Sequence, residues 1–173
     1  MNAAPVEVAL TPVRWLPAYI GVGSNLADPE AQVRRAIQAL DRLPRSRLIA
    51  SSPLYRTRPL GEVVQPPFVN AVAGLLTEST PEELLDLLRQ LERDLGREPP
   101  RQRWGPRAID LDLLVVGREE RATETLTLPH AGIAMRDFVL YPLADVAPDL
   151  DVPRLGRVAA LRDLVANRGI ERL

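Results

Sequence analysis

The chain has 173 residues, of which 46% are hydrophobic and 26% are charged, and this length and composition predict one globular domain. It contains no cysteine, which excludes disulfides and thiolate metal sites, and no lysine, which excludes a phosphate loop of the Walker type. The net charge of −1 argues against nucleic acid or an anionic membrane as a partner. Neither a signal peptide nor a membrane-spanning run is recognisable, so we expect a cytoplasmic protein.

The chain begins with a segment that shows no clear hydrophobic period. We interpret residues 1–16 as an N-terminal extension and residues 17–173 as the single domain. The first strand is predicted at residues 18–22, which are apolar, and the turn that follows it at Gly23-Ser24-Asn25.

A helix is predicted after this turn, followed by a second strand. Asp28 suits the N-cap of the helix, Pro29 its first turn and Glu30 the positive end of its dipole, and Pro44 ends it. The second strand is expected at residues 48–56.

The middle of the chain predicts a loop, a strand and a second helix. Residues 57–67 contain three prolines and are predicted as a loop, and residues 68–76 as a strand. Thr80-Pro81-Glu82-Glu83 is a capping box, and the leucines that follow it have helical spacing up to Gly96.

The remaining segments complete a recognisable order of elements. Residues 97–107 are predicted as a basic loop and residues 108–116 as the fourth strand. A connection or hairpin at 117–130, a short helical segment at 134–143 and a last helix at 158–165 are expected after it. The order β-α-β-β-α-β predicts an α+β fold, a ferredoxin-like sandwich with an antiparallel sheet and helices packed on one face, plus small C-terminal elements.

The strongest chemical signal is the block from Arg103 to Asp112, Arg-Trp-Gly-Pro-Arg-Ala-Ile-Asp-Leu-Asp. Side chains alternate along a strand, so Asp110 and Asp112 share one face. Paired carboxylates repel each other unless a cation lies between them, and Mg²⁺ binds a few carboxylates together with phosphate oxygens. A cluster of arginines that suits phosphate precedes the pair: Arg97, Arg101, Arg103 and Arg107. Spacing alone also fits a solvated strand face with scattered surface arginines.

Other residues have both a structural and a functional interpretation. Phe68 and Phe138 are the only phenylalanines, and either core packing or stacking on a ligand accounts for them. Asn70 shares the strand face of Phe68, and its amide can pair with a heterocycle. His130 is the only histidine, and Trp104 either anchors its loop or packs against a base.

These segments, taken in order over residues 18–152, resemble the 6-hydroxymethyl-7,8-dihydropterin pyrophosphokinase family. The most specific match is the block from Arg103 to Asp112. The other matching pieces are residues 18–26, Ser52, residues 55–57, residues 59–61, Gln65-Pro66, residues 68–71, residues 92–97, residues 128–130, Arg136, Phe138 and Pro142-Leu143.

The resemblance implies the reaction: ATP gives its β,γ-pyrophosphoryl group to the hydroxymethyl oxygen of the pterin, AMP leaves, and the product enters folate biosynthesis. It implies that Asp110 and Asp112 hold two Mg²⁺ ions and that Arg97 and Arg107 neutralise charge in the transition state. The partners it implies are ATP and the pterin, with no nucleic acid and no membrane, and we expect a monomer.

The resemblance also implies two groups of binding residues. On the ATP side they are Glu92, Arg103, Trp104, Leu113 through its backbone, Thr127, His130 and Arg136. On the pterin side Thr57, Leu60 and Asn70 form hydrogen bonds, and Phe68 and Phe138 sandwich the ring. The chain departs from the family pattern at Arg58, Pro99, Thr125 and Ala131, which affects the expected contacts with ATP and not the reaction class.

Two alternatives belong to other functional classes. A non-catalytic ferredoxin-like domain that binds nucleotide or RNA would display aromatic residues on its central strands and a basic face, and neither is recognisable here. A degenerate relative kept as a scaffold would have lost charged site residues, whereas Asp110, Asp112, Arg97 and Arg107 are all present.

Overall fold

A six-stranded antiparallel sheet lies at the centre of the computed structural model, which describes residues 14–59, 64–98 and 105–173. The elements are, in chain order, β1 (Leu16–Ser24), α1 (Pro29–Leu40), β2 (Ser46–Ser51), β3 (Tyr55–Thr57), β4 (Phe68–Thr77), α2 (Pro81–Asp94), β5 (Asp110–Val116), β6 (Arg121–Ala122), β7 (Thr127–Leu128), a 3₁₀ turn (Ile133–Met135), α3 (Asp137–Val146), β8 (Asp151–Val152), β9 (Gly156–Arg157), α4 (Val158–Leu164) and β10 (Glu171–Arg172). The predicted α+β class is confirmed.

The first two helices begin at the caps that the sequence predicts. The Asp28 carboxylate accepts the Ala31 amide hydrogen at 3.1 Å. The capping box of α2 is complete, because the Thr80 hydroxyl accepts from the Glu83 amide at 3.2 Å and the Glu83 carboxylate accepts from the Thr80 amide at 2.8 Å. These bonds satisfy amide groups that would otherwise lack partners at the start of each helix.

The order across the sheet is that of a ferredoxin-like sandwich. β1 lies between β4 and β5, both β2 and β3 pair with the other edge of β4, and β10 pairs with β3. The ladders are antiparallel. α1 and α2 provide the two crossover connections, as the predicted β-α-β-β-α-β order requires.

The single strand predicted at residues 48–56 is wrong, since two strands lie there. β2 pairs with one half of β4 and β3 with the other half. Pro53 lies between them and has no amide hydrogen for a ladder. Ser52 fills the gap, because its hydroxyl accepts the Val72 amide hydrogen at 3.0 Å and its own amide donates to the Val72 carbonyl at 2.9 Å.

Two predicted strand boundaries also need correction. β1 continues through Gly23 and Ser24, which were expected in a turn, because β4 continues to pair with both residues. β5 starts at Asp110 rather than at residue 108. Opposite Tyr19 and Ile20 the register of β5 shifts by one residue, which places a bulge at Leu114 beside the site described below.

The sheet is covered on both faces: α1 and α2 pack on one face, as expected, and the C-terminal elements cover the other, which the sequence analysis did not specify. Val22, Ala71 and Leu113 belong to the core that contains the buried residues of α1 and α2. Val72 and Leu114 point the other way and belong to a second core with α3 and α4. α3 is apolar enough to be buried, and it therefore forms a second layer.

The later elements agree with the expectations for the end of the chain. β6 and β7 form the small hairpin expected at 117–130, and α4 is the helix expected at 158–165. Within the described part of the chain, no helix combines the length and apolar character that a membrane crossing needs. β1 begins at Leu16, opposite Thr77, and residues 1–13 lie outside the described residues, so the division into an extension and a domain stays a prediction.

Candidate active site

A cleft opens between the sheet and the first turn of α3, on the face that α1 and α2 do not cover. It is lined by glycines of β1, the first residues of β4 and β5, and residues of three loops. The lining residues are Gly21, Val22, Gly23, Thr57, Arg58, Gln65, Phe68, Asn70, Ala71, Arg107, Asp110, Asp112, Arg136, Phe138 and Val139.

Two carboxylates of β5 line this cleft and share one face of the strand, and the shared face is as predicted. Asp110 and Asp112 alternate with Leu111 and Leu113, whose side chains are buried on the opposite face of the sheet. Asp112 lies opposite Gly21, which leaves room above the strand. Burial, and then the charge of Asp110, raise the pKa of Asp112, so a cation placed between the two would relieve an unfavourable arrangement.

Three arginines reach the carboxylate pair from three different segments. Arg97 donates to Asp110 Oδ1 at 2.7 Å, and Arg107 donates to Asp110 Oδ2 at 2.8 Å. Arg136 lies 3.7 Å from Asp112 Oδ2. Among the described residues, each oxygen of Asp110 therefore accepts from a guanidinium group, whereas Asp112 forms a longer ion pair with Arg136.

Glu92 connects the end of α2 to this charged cluster. Its carboxylate accepts the Leu111 amide hydrogen at 2.7 Å and also binds Arg97. Burial raises the pKa of Glu92, against the opposing effects of the Leu111 amide and of Arg97. Burial lowers the pKa of Arg97, but the charges of Asp110 and Glu92 outweigh this effect and raise it overall, so the guanidinium stays charged.

A buried amide and a buried hydroxyl also line the cleft. Asn70 Nδ2 donates to the Thr57 hydroxyl at 2.7 Å, and both side chains are buried. A Cβ at position 23 would lie 2.8 Å from Asn70 Oδ1, so only glycine leaves the amide in place. Gly23 is therefore part of the site because of its close approach to Asn70, whereas the sequence indicated only a turn at this position.

Two aromatic rings line the same cleft. Phe68 begins β4, and Phe138 lies in the first turn of α3. The Arg136 guanidinium lies 5.6 Å from the centre of the Phe138 ring. Gly132 makes this position of Arg136 possible, because a Cβ there would come within 2.5 Å of the guanidinium.

Asn25 links two loops that contribute residues to the cleft, a connection that the sequence did not indicate. Its Oδ1 accepts the Arg107 amide hydrogen at 2.9 Å, and its Nδ2 donates to Gln65 Oε1 at 3.0 Å and to the Pro66 carbonyl at 3.1 Å. Its own amide donates to the Arg107 carbonyl at 3.2 Å. The motif Gly-Ser-Asn was visible in the sequence, but the partners of Asn25 are 40 to 82 residues away.

The residues predicted to bind ATP are not all brought together in the cleft. His130 Nδ1 accepts the Gly132 amide hydrogen at 3.0 Å, which places the proton of the neutral ring on Nε2. Burial lowers the pKa of His130, against the attraction of Asp112. Thr127 is exposed on β7, and the Leu113 side chain lies in the core, so only its backbone is available to a ligand. Leu60, Arg103 and Trp104 lie outside the described residues, as do Pro99 and Arg101.

The chemistry of these donors suits Mg²⁺ only if a ligand completes its coordination. In residues 14–59, 64–98 and 105–173 no group of three or more acidic, histidine or cysteine side chains is arranged to hold a metal. Asp110 and Asp112 provide carboxylate oxygens, and Mg²⁺ commonly takes its remaining ligands from water and substrate phosphates. The residues present therefore fit a metal that arrives with a phosphate ligand.

Comparison with known proteins gives one consistent result. The family model for 7,8-dihydro-6-hydroxymethylpterin-pyrophosphokinase matches residues 19–148. A 2-amino-4-hydroxy-6-hydroxymethyldihydropteridine pyrophosphokinase of Pseudomonas aeruginosa is 47% identical over 155 residues, which cover 90% of this chain and 95% of the relative. The protein of the same name from Haemophilus influenzae is 44% identical, and the match covers 79% of this chain and 84% of the relative.

A solved structure has the same fold. Wild-type HPPK-DHPS of Plasmodium falciparum superposes with a TM-score of 0.68 over 87% of this chain, at 14% identity. The match spans 41% of the length of that longer protein. At this identity the likeness supports the fold alone.

Proposed function

The chain belongs to the 7,8-dihydro-6-hydroxymethylpterin-pyrophosphokinase family, and we propose that the cleft between the sheet and α3 is where it transfers pyrophosphate from ATP to the hydroxymethyl group of a dihydropterin. The observation that carries this assignment is the juxtaposition of two halves. Asp110 and Asp112, with arginines around them, line the same cleft as Asn70, Phe68 and Phe138. A phosphate chain and a flat heterocycle have complementary requirements of this kind.

The pterin half is assigned to the buried amide and the aromatic rings. Asn70 and Thr57 present hydrogen-bonding groups that can recognise the edge of the heterocycle. Phe68 and Phe138 provide the faces of a sandwich for the ring, and Leu60 completes the polar contacts through its backbone. A slot of this kind would favour a planar ligand over a flexible one, because a preformed site and a rigid ligand lose less conformational freedom on binding.

The phosphate half is assigned to the carboxylates and arginines. Asp110 and Asp112 would hold two Mg²⁺ ions together with phosphate oxygens, and the metals would supply neutralisation of the charge on the pyrophosphoryl group. Arg97 and Arg107 are within hydrogen-bond distance of Asp110, so a cation on Asp110 competes with them and frees their guanidinium groups for phosphate.

The remaining ATP contacts are assigned to the other predicted residues. Arg103 and Arg136 reach phosphates, and the ATP side is completed by Glu92, Trp104, Leu113, Thr127 and His130. The His130 Nε2 hydrogen is a donor for this purpose, because Nδ1 is occupied by the Gly132 amide. Glu92 acts by holding Arg97 and the Leu111 amide beside the carboxylates.

The reaction needs alignment and charge neutralisation more than a protein nucleophile. The hydroxymethyl oxygen attacks the β-phosphorus of ATP, the bond from that phosphorus to the oxygen shared with the α-phosphate breaks, AMP leaves and the hydroxyl proton is released. The chain's residues hold the two substrates in line and exclude water from the cleft. We further assign the active form as a monomer with no nucleic acid or membrane partner.

The test is the dependence of AMP formation on the pterin hydroxyl. The protein, ATP and Mg²⁺ are incubated with hydroxymethyl-dihydropterin or with the 6-methyl analogue, which lacks the accepting oxygen. We expect AMP to accumulate with the first and not with the second. The same AMP formation with the analogue would show that water, rather than the pterin, accepts the pyrophosphate. The non-catalytic alternative has no support from the relatives, whose names are those of enzymes.

A further inference from the structure

We propose that residues 166–173 act as a strap that fixes the first turn of α3 for pterin binding, with Asp137 as the positioning residue that anchors it. This inference rests on the proposed function, because it concerns the placement of Phe138 in the pterin slot. The family match ends at residue 148, so the strap lies outside the matched region.

The anchor is a buried carboxylate at the start of α3. Asp137 is only 4% exposed. One of its oxygens accepts the amide hydrogen of Phe138 at 2.8 Å, and the other accepts the amide hydrogen of Arg168 at 2.8 Å. A single carboxylate therefore fixes both the backbone that carries the pocket ring and the backbone of the C-terminal segment.

The strap keeps its shape through its own backbone bonds. Asn167 Oδ1 accepts the amide hydrogens of Gly169 at 2.8 Å and of Ile170 at 3.1 Å, which forms an Asx turn. Gly169 has φ +87°, a conformation that glycine adopts at little cost. Residues 167–170 therefore form a defined turn, which leads the chain from its contact with Asp137 to the sheet.

The other end of the strap is attached to β3, whose last residue, Thr57, lines the cleft. β10 pairs with β3, Glu171 opposite Arg56 and Arg172 opposite Tyr55. The Leu173 amide also donates to the Leu54 carbonyl at 2.9 Å. β3 ends at Thr57, whose hydroxyl accepts from the Asn70 amide in the cleft.

The strap and one further contact hold α3 at both of its ends. At the C-terminal end of α3, the Tyr55 hydroxyl donates directly to Asp145 Oδ2 at 2.6 Å. At the N-terminal end, the connection from α3 to β3 runs through Asp137 and the strap. Loss of the second connection leaves α3 packed on the sheet through Leu140 and Leu143 and held at Tyr55. The first turn, which carries Phe138, then loses the contact that fixes its backbone.

Matched variants separate the backbone contact from side-chain effects. Arg168→Pro removes the amide hydrogen that binds Asp137, whereas Arg168→Ala removes only an exposed side chain and keeps that hydrogen. Asp137→Asn keeps one acceptor but replaces the other with an NH₂ group, so it cannot accept from both Phe138 and Arg168. If Arg168→Pro does not fold, the isosteric variant Asp137→Asn still tests the proposal.

The measurement is the affinity for hydroxymethyl-dihydropterin and, separately, for ATP with Mg²⁺, at a temperature well below the unfolding midpoint of each variant. We expect Arg168→Pro and Asp137→Asn each to weaken pterin binding about tenfold, the equivalent of one charge-assisted hydrogen bond. The Arg168→Ala variant should match the wild type. ATP affinity should fall less than pterin affinity in the other variants, because of the residues assigned to ATP only Arg136 lies at the start of α3. The double variant Asp137→Asn/Arg168→Pro should be no worse than either alone, since both remove the same contact.

Three results would contradict the proposed role of the strap. Unchanged pterin affinity in Asp137→Asn, with or without a lower melting temperature, would show that the segment only stabilises the fold. Equal losses in Arg168→Ala and Arg168→Pro would show that the side chain matters and not the amide hydrogen. A wild type that binds no pterin would refute the proposed function itself, and the strap with it.

Discussion

Replacement of Asn25 is expected to impair catalysis although its side chain need not touch either substrate. Its side chain forms three hydrogen bonds, one to the Arg107 amide, one to Gln65 and one to the Pro66 carbonyl. It is 2% exposed, so water cannot easily replace these bonds. The residue therefore links the loop that carries Arg107 to the loop that carries Gln65, and both of these residues line the cleft.

The size of the effect follows from the three bonds. At about 1 kcal/mol for each, Asn25→Ala removes about 3 kcal/mol of interaction between the loops. If all of this interaction energy served to align the substrates, its loss would lower kcat/KM by about 10²-fold, which is the upper limit of the expected effect. Asn25→Asp keeps the acceptor for the Arg107 amide but places an oxygen against the Pro66 carbonyl. We expect it to lose about tenfold, mainly as a higher KM for the pterin, because Gln65 and Pro66 belong to the loop beside the pterin slot.

Steady-state kinetics for both substrates measure these changes. Gln38→Ala, which removes an amide from the exposed surface of α1, is the matched control and should behave as the wild type. Wild-type kcat and KM values in Asn25→Ala would refute the reasoning, since the two loops would then keep their positions without the link. Equal behaviour of Asn25→Ala and Asn25→Asp would show that the bond to the Arg107 amide contributes nothing.

Three further predictions concern the carboxylates, the aromatic slot and the fold. Phe138→Ala should weaken pterin binding much more than ATP binding, since stacking adds about 0.5–1.5 kcal/mol to area burial, and calorimetry that finds equal losses would contradict the assignment. Asp110→Ala and Asp112→Ala should each lower turnover by about 10²–10³-fold, and the double variant should be little worse than the poorer single one; near-normal turnover in either single variant would remove the carboxylates from the mechanism. Burial and the hydrogen bond to Asp145 raise the pKa of Tyr55 from 10.0 to about 12, so the neutral phenol stabilises the fold below pH 10 and this contribution is lost as the pH rises to 12. The unfolding free energy of the wild type should therefore fall faster than that of Tyr55→Phe over this range, and parallel curves would argue against the effect.

Local periodicity was sufficient to predict the main elements and the faces they bury. The capping box at Thr80 and the leucines after it define α2 without tertiary information. The alternation of β5 predicts that Asp110 and Asp112 share a face, and both line the cleft. The break between β2 and β3 also has a local signal in Pro53, although a run of apolar and small residues on both sides concealed it.

Features that depend on distant partners were not predictable in this way. The layer formed by α3 follows from where an apolar helix finds a free sheet face, and its sequence does not say which face that is. Asn25 and Asp137 are ordinary polar residues until their partners at Gln65, Arg107 and Arg168 are known. Gly23 and Gly132 are required because neighbouring side chains occupy the space of a Cβ, which no local pattern indicates.

The central claim is that ATP gives its β,γ-pyrophosphoryl group to the pterin. The product in which each labelled phosphorus of ATP is found after one turnover tests this claim most directly. ATP labelled at the α-, β- or γ-phosphorus is incubated with the protein, Mg²⁺ and hydroxymethyl-dihydropterin, and the products are separated. Pyrophosphoryl transfer predicts that both β and γ labels appear in the pterin product and that the α label stays in AMP. A β label that remains with the nucleotide as ADP would mean transfer of a single phosphoryl group, and the mechanism assigned to this cleft would be wrong.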